Sequence, residues 1–228
     1  MFAVDFKNEE EVQGYLKRLG TEFSYQCYKE KSGEGCLRLG DFFSGIKKDY
    51  EQASVAYTKS CEDYSQPRGC SKLAAQYLYG KGVTKDVPKA MKYFTKSCDG
   101  GSVEGCYGVA SILVSDQLNP AKKKEATKAA SYFDKSCDKG HGESCFRISA
   151  MYLTGLGDLS KNLTKSREYA AKSCELNNVY GCANLGRMYA LGDGGEQNEE
   201  LAKKYRSKAK DLHKEAKDAM KQLKFGEK

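Results

Sequence analysis

The chain has no tryptophan, three prolines and two histidines in 228 residues. So few prolines leave room for uninterrupted helices, because proline breaks a helix interior. With only His141 and His213, no credible Ser/His/Asp set exists. No apolar stretch approaches the ~18 residues that a membrane-spanning helix needs. The opening residues, MFAVDFKNEEEV, lack a basic segment followed by an apolar core and carry acids at once. Neither a secretory signal nor an Arg-rich transit peptide is therefore expected. No glycine-rich phosphate loop occurs, and no Arg-rich run or aromatic–basic stripe points to nucleic acid. Hydrophobic residues make up 39% and charged residues 30% of the chain. That balance suits a thin helical body better than a thick globule, since a two-layer array buries less per residue. The formal charge of +7 is carried mainly by lysine; lysine-rich helix faces of this kind are read as solvated.

What the chain does have is ten cysteines, at 27, 36, 61, 70, 98, 106, 137, 145, 174 and 182. Each first member is followed eight or nine residues later by a second, and the second members recur at intervals of 34, 36, 39 and 37. This is the period of a two-helix repeat. Three positions after the second cysteine come Leu39, Leu73, Val109, Ile148 and Leu185. The next position holds a small residue: Gly40, Ala74, Ala110, Ser149 or Gly186. Seven after the cysteine stand Phe43, Tyr77, Leu113, Tyr152 and Tyr189. These offsets line one helix face, and the small residue admits a neighbouring helix. Gly80, Asp116, Gly155 and Gly192 are expected to end these first helices.

The second helix of each repeat runs into the next first cysteine through the triplet Lys-Ser-Cys, at 59–61, 96–98, 135–137 and 172–174. Small residues (Ala53, Ala90, Ala129, Ser166) lie eight positions upstream, with Tyr57, Tyr93, Phe94, Tyr132, Phe133 and Tyr169 between. This stripe reads as packing rather than as a cofactor box. The ends differ, as the caps of an array should. Residues 7–31 form a degenerate first unit. At the other end KKYRSKAKD aligns with MKYFTKSCD, so that Lys210 stands in a cysteine's place. A long charged final helix is expected over 197–223.

A zinc reading of the cysteines wants C-x2-C pairs or clustered histidines, and neither is present. A free-thiol reading does not explain a partner at fixed spacing in every repeat. Disulfides do: a cysteine in the last turn of one helix and a partner in the first turn of the next can meet across a short antiparallel turn. Each closed loop contributes about 2.5 kcal/mol in the chain-entropy model. The expected pairs are Cys27–Cys36, Cys61–Cys70, Cys98–Cys106, Cys137–Cys145 and Cys174–Cys182. Disulfides imply an oxidising compartment. Set beside the missing signal peptide, they point to the mitochondrial intermembrane space, where Asn162-Leu163-Thr164, a glycosylation sequon by pattern, would be silent.

The block Leu73–Ala90, LAAQYLYGKGVTKDVPKA, resembles the Sel-one-like repeat, an α/α unit related to tetratricopeptide repeats. The cysteine pairing resembles two branches of that class: secreted Helicobacter-type cysteine-rich proteins and the animal cytochrome c oxidase assembly factor 7 family. The segments VDFKNEEEV, YQCYKEKSGEGC, SCFRISAMYL, CANLGRMYALGDG and QLKFG resemble the second. The fold expected is all-α, a right-handed α/α solenoid stapled by five disulfides. Residues 1–33 would form N-terminal capping helices. Five repeats would follow at about 34–66, 68–103, 104–142, 143–178 and 180–215, with a C-terminal capping helix and tail over 197–228. The resemblance implies a non-enzymatic, monomeric scaffold of the intermembrane space that supports assembly of respiratory complex IV. Its partners would be complex IV subunits or other assembly factors, and the oxidative import machinery.

Catalytic alternatives are thin. Ser-x-x-Lys occurs at Ser44–Lys47, Ser136–Lys139 and Ser207–Lys210 without a following K-T-G, a chance pattern in a Ser- and Lys-rich chain. Thiol–disulfide exchange would fall to Cys27–Cys36 or Cys61–Cys70, whose extra residue changes the turn. Haem or copper handling would fall to His141 with Met151 or Met188, and no C-x2-C-H or C-x-C motif accompanies them. His141 otherwise reads as a turn residue near a helix start, and His213 as solvent-exposed. No catalytic residue, metal ligand or resident cofactor is expected.

Overall fold

The computed structural model describes residues 5, 7–119 and 125–224. Among them are eleven α-helices and no strand beyond an isolated bridge between Leu156 and Leu159. The helices are α1 Glu9–Tyr28, α2 Gly33–Phe42, α3 Tyr50–Glu62, α4 Pro67–Tyr79, α5 Val87–Asp99, α6 Val103–Leu113, α7 Ala126–Cys137, α8 Gly142–Thr154, α9 Leu163–Glu175, α10 Val179–Leu191 and α11 Glu199–Lys224. Even-numbered helices from α2 are the first members of their repeats; odd-numbered helices from α3 are the second.

The helix starts follow from local chemistry. Ser32, Asp49, Asp86, Asn162 and Asn178 each accept a backbone N–H three residues on, satisfying donors that a helix leaves orphaned. Pro67 opens α4, where a missing N–H costs nothing. At the far ends of α4 and α10, Gly80 (φ 68°) and Gly192 (φ 73°) take the left-handed conformation and stop the helix. Helix α6 ends at Leu113, before the Asp116 expected to stop it. The reason is Asn119, whose side-chain amide donates to the Leu113 carbonyl at 2.9 Å, while the Ser115 hydroxyl accepts from Leu118 N. After α2, residues Phe43–Lys47 form a single π-helical turn closed by left-handed Lys48. Before α2 there is one described helix, α1, where more than one was expected.

The fold comprises two compact units, residues up to 109 and residues from 110 onward. In the first, Cys27, Cys36, Leu39 and Ala56 form one buried cluster, and Leu37, Ala53, Tyr57, Cys61, Cys70 and Leu73 another. In the second, Ala170, Cys174, Cys182, Leu185, Met188 and Ala209 form a cluster between α9, α10 and α11. The small positions carry the close approaches. Between α8 and α9 both are serine, and each hydroxyl donates to the other's carbonyl: Ser149 Oγ to Ser166 O and Ser166 Oγ to Ser149 O, both at 2.8 Å. Two buried hydroxyls are thereby satisfied where other repeats use Gly or Ala.

Candidate interaction surface

The five disulfides set the frame. Cys27–Cys36, Cys61–Cys70, Cys98–Cys106, Cys137–Cys145 and Cys174–Cys182 are bonded, with Cα–Cα distances of 4.4, 4.6, 4.5, 4.9 and 4.4 Å. The second cysteine is the fourth residue of its helix in every case. All ten are buried, the most exposed being Cys98 at 5%. The extra residue in the Cys27–Cys36 and Cys61–Cys70 turns opens neither pair to solvent, and access is what thiol attack requires.

The Lys-Ser-Cys triplet addresses three different neighbours with three consecutive residues. The cysteine bonds forward to the next first helix. The serine donates sideways to the first residue of its own pair's first helix: Ser60 to Gly33 O at 2.7 Å, Ser97 to Pro67 O at 2.7 Å, Ser173 to Gly142 O at 2.8 Å. The lysine reaches back in the second and fourth triplets, whereas Lys59 pairs with Asp63 four residues on. Lys96 Nζ donates to Cys61 O at 2.9 Å and lies 3.7 Å from Glu62; Lys172 meets Asp138 at 3.3 Å. In α11, Lys208 keeps this role, donating to Cys174 O at 2.9 Å. The glycine before the second cysteine makes room: a Cβ at Gly69 or Gly181 would run into Ser60 or Ser173 Oγ.

Of the aromatic residues expected in the core, Tyr57, Phe94 and Phe133 are buried there, whereas others form half-buried stacks between paired helices. Tyr77 stacks on Tyr93 (5.6 Å, 13°), Tyr152 on Tyr169 (6.0 Å, 12°) and Tyr189 on Tyr205 (5.6 Å, 9°). A cation covers each stack: Lys89 over Tyr77, Lys165 over Tyr152 and Arg167 over Tyr189. Burial, then a hydrogen bond to Glu62, pushes the Tyr93 phenol up to about 12. Burial likewise raises Tyr169, which donates to Asp134 at 2.8 Å, and Tyr57, which donates to Asp41 at 2.7 Å.

The structure does not gather the candidate cofactor residues. His141 is the N-terminal cap residue of α8, with Nδ1 at 2.8 Å from Ser144 Oγ. Met151 lies ten residues further along the same helix, about 15 Å away at 1.5 Å per residue. Met188 is fully buried in the α9–α10–α11 cluster. His213 is exposed on α11. No group of three or more His, Cys, Asp or Glu side chains is placed to hold a metal among the described residues. Ser44 of the first Ser-x-x-Lys pair shares a hydrogen bond with Tyr57, while Lys47 lies over the Phe42 ring, 5.8 Å from its centroid.

One groove stands out within the first unit. It occupies about 780 Å³ along α1, against α2 and the π turn. Its floor is Leu39 and Phe42, and a Cβ at Gly20 would come within 2.8 Å of the Phe42 ring. Tyr25 and Tyr28 stand at its edge, 57% and 46% exposed. Lys17, Lys29 and Lys47 line it, and among the described residues no Asp or Glu does. Sequence periodicity carries no signal for this groove, because its lining comes from α1, α2 and the π turn together rather than from one helical stripe.

With this geometry in view, the comparisons with known proteins are specific. Residues 33–53, 67–102, 103–141, 142–178 and 179–213 match the Sel1 repeat, so the class is an α/α solenoid of Sel1 repeats. A Sel1 repeat protein from Oxalobacter formigenes superposes with a TM-score of 0.71 at 19% identity, over 95% of this chain and 60% of that one. A protective antigen of uropathogenic Escherichia coli with this fold gives 0.61 at 20% identity, over 85% of this chain and 52% of that one. Cytochrome c oxidase assembly factor 7A of Xenopus laevis is 42% identical over 228 residues, and cytochrome c oxidase assembly factor 7 of Homo sapiens 36% identical over 227, each covering 98% of both chains. The chain belongs to the cytochrome c oxidase assembly factor 7 family.

Proposed function

We propose that the protein is a non-catalytic helical-repeat scaffold that supports assembly of cytochrome c oxidase, respiratory complex IV, in the mitochondrial intermembrane space. The observation that carries this reading is similarity along 98% of both chains to proteins named as assembly factors of that enzyme. Five buried disulfides support the compartment, since such bonds persist where thiols are oxidised. A staple repeated in every unit, with no sulfur exposed, supports an architectural rather than a redox role. On this reading the scaffold acts as a monomer without a resident haem or metal. The unit before α2 and the long α11 cap the array. The client is a complex IV subunit or another assembly factor, and the oxidative import machinery makes the disulfides.

The test is deletion in the source organism, followed by blue-native electrophoresis and oxidase activity. Complex IV content should fall and be restored by the wild-type chain. Unchanged complex IV content would sink the proposal. Alkylation after mild reductant addresses the redox alternative: ten uniformly resistant cysteines are expected, and one labile pair would favour exchange chemistry.

A further inference from the structure

We infer that the groove between α1 and α2 receives an amphipathic acidic helix of a partner protein. This rests on the scaffold reading and specifies the client segment. Three features of the groove choose the occupant. Its length, from Gln13 to Lys29 along α1, is about 24 Å at 1.5 Å per residue, or four to five helical turns. Its floor, Leu39 and Phe42, is apolar and recessed, which suits side chains repeating every three or four residues along one inserted face. Its charge is of one sign: among the described residues, Lys17, Lys29 and Lys47 line it without a carboxylate. Acidic residues flanking the partner's apolar face would meet these cations at the rim, where charge governs encounter and partner choice. A flat bilayer does not fit the same features, because it cannot reach a recessed floor between two helices.

Tyr25 and Tyr28, 57% and 46% exposed, add an amphipathic edge of the kind enriched where proteins meet. At Gly20 the two helices touch, with the Phe42 ring where a Cβ would stand; Ser24, about one turn further along α1, lines the open groove, so a large side chain there would occupy the space meant for the partner.

The test uses the full oxidised chain and a fluorescent eighteen-residue helical probe, with Leu at i, i+4 and i+7 and Glu on the flanks. A scrambled peptide of the same composition is the control. Wild type should bind the probe at least about tenfold more tightly than the scramble. The charge-reversed variant Lys17→Glu/Lys29→Glu/Lys47→Glu, and separately the groove-filling Ser24→Trp, should each lose about tenfold or more. The charge-reversed chain should prefer a probe in which Lys replaces Glu. Equal binding by wild type and the charge-reversed variant would overturn the inference. Stronger binding to vesicles containing phosphatidylserine than to the probe would overturn it in favour of a membrane. Wild-type self-association lost in the variant would overturn it in favour of a second copy. In deletion cells, a charge-reversed chain that restores complex IV fully removes the groove but leaves the scaffold standing. A deletion without effect removes the scaffold itself.

Discussion

Lys96 Nζ donates to the carbonyl oxygen of Cys61 at 2.9 Å, tying α5 to the C-terminal end of α3. The ammonium satisfies a carbonyl that the helix end leaves without a partner, and its charge complements the negative end of the helix dipole. Lys208 donates likewise to the Cys174 carbonyl, which also accepts from Asn177 N at 3.0 Å. Replacing either lysine by methionine keeps most of the alkyl stem and removes the donor. Each change should cost about 1 kcal/mol, read as a lower urea midpoint at unchanged m-value. A Lys96→Met midpoint equal to wild type would show that solvent already supplies what the lysine gives.

Gly69 and Gly45 make a matched pair. A methyl group at Gly69 would collide with Ser60, whereas one at Gly45 meets nothing within 4 Å. Gly69→Ala should therefore destabilise by about 1–3 kcal/mol through overpacking, and Gly45→Ala should change stability little. Equal melting temperatures for the two variants would contradict the close approach of α3 and α4.

Each disulfide closes a turn of eight or nine residues. Cys98→Ala/Cys106→Ala should lower stability by about 2.5 kcal/mol, within the range seen for short loops. Chemical denaturation of the oxidised variant against wild type measures it. Complete reduction should unfold the chain at temperatures where the oxidised form is folded, and helical circular dichroism unchanged by reductant would argue that packing alone suffices.

Burial, with help from Glu62, raises Tyr93 from 10.0 to about 12 in the folded state. The native state then holds a proton that the unfolded chain gives up. That contribution to stability is complete below about pH 10 and is lost as pH rises through 12. Tyr57 and Tyr169, raised by burial and by Asp41 and Asp134, extend the loss further into alkali. Phenolate absorbance should show a late-ionising group of tyrosines that titrates together with unfolding. Glu62→Gln should move Tyr93 part of the way back, because burial remains. Titration of all sixteen tyrosines as one class near their ordinary value would refute the buried hydrogen bonds.

The repeat was legible because three chemical periodicities coincide: the cysteine spacing, the helical offset of Leu73 and its equivalents, and the small residues at Ala53 and its equivalents. Each is fixed by packing within one unit and recurs in the next. The roles of Ser60 and Lys96 were not legible. Their partners, Gly33 and Cys61, lie 27 and 35 residues away, and a one-dimensional pattern does not say which neighbour a polar side chain faces. Tyr77 and Tyr93 were read as core because their spacing is that of a buried stripe. The structure leaves them half-buried, because a flat stack under a lysine needs only one covered face. Asp116 looked like a helix stop, yet Asn119 stops α6 sooner by folding back onto Leu113. The α1 groove had no sequence signature at all, since its lining is drawn from α1, α2 and the π turn together rather than from one helical stripe.

The alternation of bond types along the chain has a consequence for cleavage. The turns that follow α1, α3, α5, α7 and α9 are each bracketed by a bonded cysteine pair. A protease that cuts in one of them leaves two fragments still joined through sulfur, and the nick is invisible until reductant is added. The connections that follow α2, α4, α6, α8 and α10 have no such bypass. A single cut there leaves two pieces with no covalent link between them, so in an oxidised preparation those five connections decide whether the molecule survives as one.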